Sequence, residues 1–311
     1  MLIKTVFVIK RKESLFMQEM KNIVLNFMKE QAFPEEAVKS LTVALDKIYD
    51  GEALSILKQI NQEYQEDYRI KADVVTETAK KISEISGVDQ KQCNIVIYMG
   101  LVPTLKKHYI NKGYPLENFY DTIRELKCKL LECYDCFGVW GMRGCHVSNT
   151  HFAMTRFGMG VFQFELIRLE KDFLVNGVQL KKGDLAVNIH IPRLGEPITY
   201  EARHSAYKRA KEFFKSSFPN DDKIPFYCHS WILFKKHREI LKPTSNMVSF
   251  MDDFDTLVEY DYPDYNETWR IFGRPFTTIE EMPKDSSVQK AYAKIIERGE
   301  KTGGAEGVFL Y

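Results

Sequence analysis

No stretch of this chain stays apolar for the roughly eighteen residues a membrane-spanning helix needs. Neither sign of charge is in excess. Forty-four Lys and Arg against 43 Asp and Glu leave a formal charge of +1. That excludes a global field attracting nucleic acid or a membrane surface, and neither is expected as a partner. The N-terminal stretch reads as a poor secretory signal. The apolar run in Met1–Lys10 is interrupted by Lys4, runs into Lys10-Arg11-Lys12, and offers no small-residue cleavage site. The expected location is therefore the cytoplasm. The six cysteines (Cys93, Cys128, Cys133, Cys136, Cys145, Cys228) are expected to be free thiols.

Two cofactor signatures are absent as well. Gly138, Gly141 and Gly144 are spaced G-x-x-G-x-x-G, which matches neither a dinucleotide nor a Walker loop. Close packing or a hinge explains them better. Cys133-x-x-Cys136 with Cys145-His146 and His151 lacks the two spaced pairs of a structural zinc site, so no metal is expected.

What the chain does contain is apolar periodicity of two kinds. Residues 14–134 are helical in pattern. Pro34-Glu35-Glu36 opens a helix whose apolar face is Ala37, Val38, Leu41, Ala44, Leu45 and Ile48, with Asp50-Gly51 as its stop. Further helices are predicted from Ala53, over Lys71–Ser86, over Gln90–Lys112 with Pro103 inside, and over Pro115–Cys133. Joined by short loops, they read as an antiparallel bundle, structural or covering a substrate.

The helical pattern stops near residue 136 and strand patterning follows. Gly158–Glu170 alternates as one strand, and Asn176-Gly177 marks a type I′ hairpin between Phe173–Val175 and Val178–Leu180. Leu185–Ile191 is a strand with Asn188 and His190 on one side. Thr199 caps a helix whose apolar face is Ala202, Ala206, Ala210 and Phe213–Phe214, with Arg203, Lys208, Arg209 and Lys211 assigned to water. Ile224–Leu233 is a strand that spends four consecutive positions on Tyr227, Cys228, His229 and Ser230. Ser245 caps a short helix over Asn246–Phe254. Strands are predicted at Leu257–Tyr262, Glu267–Phe272 and Gly307–Tyr311, with a last helix capped by Ser286 or Ser287.

Gly160-Val-Phe-Gln-Phe-Glu165, Asn188-Ile-His-Ile-Pro192, Phe226-Tyr-Cys-His-Ser-Trp231 and Ser245-Asn246 resemble the signature segments of a bacterial acyltransferase family. That family joins an N-terminal helical N-acyltransferase domain to a GNAT-like C-terminal domain. The resemblance implies an α+β architecture: an N-terminal antiparallel helical bundle over 1–136, then a GNAT-like mixed sheet flanked by helices over 137–311. It implies transfer of an acyl group from acyl-CoA or another acyl thioester to a small-molecule amine, with an acyl carrier protein as an alternative carrier of the acyl substrate. The chain departs from the fold's usual pyrophosphate loop. Pro192-Arg-Leu-Gly-Glu-Pro-Ile-Thr199 has one glycine, an acid and two prolines, so it offers a phosphate few N–H donors.

N-acyl transfer needs a base, an oxyanion donor and an acid for the leaving thiolate. His190 is the first candidate base, with Glu165 and His229 as further ones; the two histidines are also explicable as hydrogen-bonded core residues, and Glu165 as a solvated edge residue. Tyr227 and Ser230 are candidate proton donors. Asn188 and Ile191 are the candidate cofactor contacts. Cys228 is either a small buried hydrophobe or an acyl-accepting nucleophile, and His190 would then serve as its base. A third reading is a non-catalytic GNAT-like domain that binds a small ligand in the same cleft.

Overall fold

The computed structural model describes residues 18–49, 51–219 and 221–311. The N-terminal apolar run over residues 1–12 and the helix stop at Asp50 lie outside them. By its internal packing the chain divides into two compact units between Thr155 and Arg156.

The first unit is helical: α1 (through residues 18–30), α2 (Glu35–Ile48), α3 (Gly51–Glu66), α4 (Ala72–Ser86), α5 (Gln90–Lys112), α6 (Leu116–Ile123), α7 (Glu125–Phe137) and α8 (His146–Phe152). The amphipathic stripes bury Leu41, Leu45 and Ile48 on α2 and Val75, Ala79 and Ile82 on α4, while Val74, expected on the same α4 stripe, is exposed. α5 is apolar nearly all round and forms the centre, with Cys93 to Val102 buried without interruption. The single helix expected over Pro115–Cys133 is two, because the ladder breaks at Arg124 although that residue keeps α-region dihedrals.

Residues 137–155, where strand patterning was expected to begin, pack on the helices. Met142 N–H donates to Lys91 O at 2.8 Å, Asn94 Nδ2 to Met142 O at 3.0 Å, and Tyr64 Oη to Phe152 O at 2.8 Å. Gly141 permits this approach. A Cβ there would sit 2.6 Å from the Lys91 carbonyl carbon.

The second unit contains β1 (Arg156–Met159), β2 (Phe162–Arg168), β3 (Phe173–Val175), β4 (Val178–Leu180), β5 (Leu185–His190), α9 (Tyr200–Phe214), β6 (Pro225–Ser230), α10 (His237–Ile240), α11 (Asn246–Met251), β7 (Thr256–Asp261), α12 (Trp269–Phe272), α13 (Ser287–Glu297) and β8 (Gly303–Leu310). Six strands form one mixed sheet in the order β1-β2-β5-β6-β8-β7, in which only β5 and β6 are parallel. The one strand expected over Gly158–Glu170 is a hairpin, turned at Gly160 (φ 63°). The strand expected at Glu267–Phe272 is helical, formed by a 3₁₀ turn at Asn266–Thr268 and α12. The Asn176-Gly177 turn has φ of 50° and 81°, as a type I′ turn requires.

One sheet face is the core. Phe162, Phe164, Phe226 and Phe309 pack there against Tyr207 of α9, Phe250 of α11 and Phe254. The opposite face is covered along part of its length by the β3–β4 hairpin, whose Phe173, Val175 and Leu180 cluster with Ala186 and Val308. Beyond the hairpin that face is polar.

Candidate active site

β5 and β6 run parallel but pair at only two positions, Val187 with Phe226 and Asn188 with Tyr227. Past that point Ile189 and His190 pair with β2, and Cys228–Ser230 pair with β8. The two strands therefore part at their C-terminal ends, leaving facing edges that are not paired with each other. Pleating assigns each side chain to one face. Asn188, His190, Tyr227 and His229 share the polar face with Arg156, Glu165 and Glu306, all fixed by cross-strand register.

On that face Glu165 of β2 lies beside β5. His190 Nε2 is 3.0 Å from Glu165 Oε2, and Arg156 donates to the same oxygen from Nη2 at 2.8 Å and Nε at 3.2 Å. Burial alone would raise the Glu165 carboxyl. The His190 hydrogen bond and the Arg156 charge outweigh it and hold the group at about 2. An ionised carboxylate fixes the imidazole tautomer: Nε2 carries the hydrogen and Nδ1 is the basic nitrogen. A carboxylate–imidazole pair with this geometry has the form that can position a general base. The Asn188 amide also reaches His190 Nε2, at 3.1 Å.

The other sequence-predicted residues divide between the two faces. Tyr227 is half-buried beside the parting strands, edge-on to Phe173, and burial, reinforced by Glu306, pushes its phenol well up, so it stays protonated. His229 is exposed, packs edge-on against Tyr260 at 5.1 Å and faces Glu306 in register. Ile191 lies just past the end of β5, half-buried. Ser230 accepts from Ile232 N–H at 3.2 Å and caps the 3₁₀ turn that follows β6. Cys228 is fully buried on the core face, opposite His190 across the sheet, and burial drives its thiol far above the usual range. Neither a thiolate nor a His190–Cys228 contact is supported by that placement.

Arg203 is a correction to the sequence reading, which assigned it to water. It is 1% exposed. Its guanidinium donates to Asp253 Oδ2 at 2.5 Å and Oδ1 at 3.0 Å, to Ser249 O at 2.9 Å, and to Ile198 O at 3.4 Å, while Tyr207 Oη donates to Asp253 Oδ2 at 3.0 Å. The pattern held the signal. Arg203 shares the helical face of Ala206, Tyr207 and Ala210, all buried. The pair fastens α9 and the loop before it to the end of α11.

That loop, residues 191–199, joins β5 to α9. Thr199 Oγ1 accepts from Ala202 N–H at 3.3 Å, taking one of the first amides of α9, and the exposed stretch is Arg193, Gly195, Glu196 and Pro197. One cation, one acid and two prolines do not make a backbone phosphate cradle.

The N-acyltransferase N-terminal domain model matches residues 24–146, and the GNAT-like C-terminal domain model matches residues 156–309. The chain joins an N-acyltransferase N-terminal domain to a GNAT-like C-terminal domain. The splayed β5 and β6 belong to the GNAT-like domain. Solved acyltransferases share the fold. One in complex with decanoyl-CoA and teicoplanin superposes with a TM-score of 0.70 at 17% identity, over 92% of this chain and 86% of that one. One in complex with CoA and 10C-teicoplanin gives 0.70 at 18% identity, over 91% and 86%. No curated protein sequence matches the chain significantly. Among the described residues, no helix is long and apolar enough to cross a membrane, and no group of three or more His, Cys, Asp or Glu is placed to hold a metal ion.

Proposed function

We propose that the protein transfers an acyl group from a thioester to an amine at the parting of β5 and β6. The observation that carries this reading is the Glu165–His190 hydrogen bond at 3.0 Å, set on the strand whose edge opens there. His190 Nδ1 accepts the proton of the amine as its nitrogen bonds to the thioester carbonyl carbon. Glu165 holds the ring and stabilises the imidazolium that forms. As the carbon–sulfur bond breaks, His190 returns that proton to sulfur, so the base is regenerated. Tyr227, protonated and on the same face, offers its O–H to the leaving sulfur.

The solved acyltransferases with decanoyl-CoA make a medium-chain acyl-CoA the first donor to try. The chemistry described needs only the thioester end, so a carrier protein bearing the same thioester remains a second donor within the proposal. The test is thiol release from octanoyl-CoA in the presence of a panel of primary amines. Amine-dependent release by the wild type, lost in His190→Ala, supports the reading. Equal release by both proteins overturns it.

A further inference from the structure

We infer that the Asn188 side chain supplies the hydrogen-bond donor that stabilises the oxyanion of acyl transfer. This rests on the reading above and adds a catalytic residue to it. The reasoning begins at His190 Nε2, which has two polar neighbours: Glu165 Oε2 at 3.0 Å and the Asn188 amide nitrogen at 3.1 Å. A ring nitrogen offers either one N–H or one lone pair. Glu165 receives two further donors from Arg156 on the same oxygen and is a carboxylate. Nε2 therefore carries its hydrogen. An amide NH₂ has nothing to donate to in an N–H group.

The other end of the same amide is also unsatisfied. Asn188 Oδ1 is buried with no hydrogen-bond partner, and an unpaired buried carbonyl costs about 1–3 kcal/mol. The two ends of an amide have nearly the same shape. A half-turn about the Cβ–Cγ bond removes the donor–donor conflict at Nε2. Oδ1 then shares the Nε2–H with Glu165, and the NH₂ takes the buried position. In that position it is a donor where the oxygen met none.

The location is what gives this donor a use. Asn188 and Tyr227 are the last register pair before β5 and β6 part, and both face the side that carries His190. A thioester carbonyl entering there meets a base two residues along the strand and an N–H beside it. When the amine nitrogen bonds to the carbonyl carbon, the C=O π pair moves onto oxygen, and the Asn188 N–H holds that charge. When the pair returns, the carbon–sulfur bond breaks. Asn188 neither gains nor loses a proton. Preorganised donors of this kind act on the developing charge more than on the ground state.

Asn188→Asp tests this directly, because it keeps an oxygen for the Nε2–H and removes the NH₂. The assay is octanoyl-CoA with the amine panel, read at the high-pH plateau, since a new carboxylate beside Glu165 and Arg156 moves the acid limb. The expected result is a loss of about 100-fold or more in kcat with the KM for octanoyl-CoA within about threefold. Asn188→Ala, which removes both ends, is expected to lose at least as much. Were Asn188 only an orienter of His190, Asp would serve as well. Retention of about a third or more of the wild-type kcat by Asn188→Asp, or by Asn188→Ala, overturns the inference. In that outcome loss of transfer in His190→Ala still upholds the acyl-transfer reading. A wild type that releases no thiol removes that reading itself.

Discussion

Arg156 and His190 donate to the same carboxylate oxygen, Glu165 Oε2, at 2.8 and 3.0 Å. A carboxylate shared with a permanent cation has less to give an imidazolium than one serving the ring alone. Arg156 thus sets how strongly the candidate base holds a proton.

Replacing Arg156 with Gln removes a positive charge beside His190 and leaves Glu165 to the ring. Protonated His190 is then better stabilised. A base works only when unprotonated, so the acid limb of the kcat/KM profile moves to higher pH, by about half a unit to one unit. A rate–pH series on the two proteins checks this. A shift to lower pH contradicts the shared-oxygen account.

Glu165 also links the site to stability. Its folded value of about 2 lies below the ordinary 4.5, so its contribution is fully present above pH 4.5 and is lost as pH falls through 2. Glu165→Gln is expected to be about 1–3 kcal/mol less stable at pH 7, with the difference shrinking steadily between pH 4.5 and 2. Urea denaturation across that range measures it. A gap that stays constant with pH would show that the carboxylate is not held by charge.

Cys228 gives the opposite expectation. Fully buried on the core face, it has neither a base nor access to solvent. The native thiol should resist iodoacetamide at neutral pH and react only after unfolding. Cys228→Ala should cost about 1–2 kcal/mol through lost packing and leave acyl transfer within a few-fold of wild type. Fast labelling by mass spectrometry would restore the thiol mechanism.

The Arg203–Asp253 pair is a buried, two-pronged contact on a residue 1% exposed. Truncating either partner strands a charge, so Arg203→Met and Asp253→Leu should each destabilise by about 3–5 kcal/mol, while the double variant recovers part of the loss. Arg203→Lys cannot reproduce the fork and should rescue little. Thermal and urea midpoints report all four.

Where apolar periodicity is local, the sequence was enough. α5 spans Gln90–Lys112 as its pattern indicates, and the Thr199, Ser245 and Ser286 caps all accept the expected backbone hydrogen bond. The Asn176-Gly177 hairpin was legible because its turn chemistry is contained in two residues. Gly160 was not read as a turn. The alternation across it continues on both arms of the hairpin, and one glycine carries no period of its own. Glu267–Phe272 failed for a related reason: a six-residue segment with four aromatic or β-branched residues is too short to separate a strand from one helical turn.

The site shows the same division. Alternation along β5 and β6 already places Asn188 with His190 and sets Cys228 apart from His229. Which carboxylate meets His190, and which arginine competes for it, depends on the register of β1, β2 and β5. The contacts that register sets join residues 9 and 25 positions apart, and no local pattern encodes them. Arg203 belongs to the same class, since its burial is tolerable only because Asp253, fifty residues later, neutralises it. By itself the sequence determined the elements, their caps and the residue types available for acyl transfer, because these follow from dihedral preference and periodicity within a few residues. Only the tertiary structure decided which side chains share an oxygen, which thiol is sealed away and where the two parallel strands separate. Those are properties of pairing between distant segments, and they exist only once the sheet has formed.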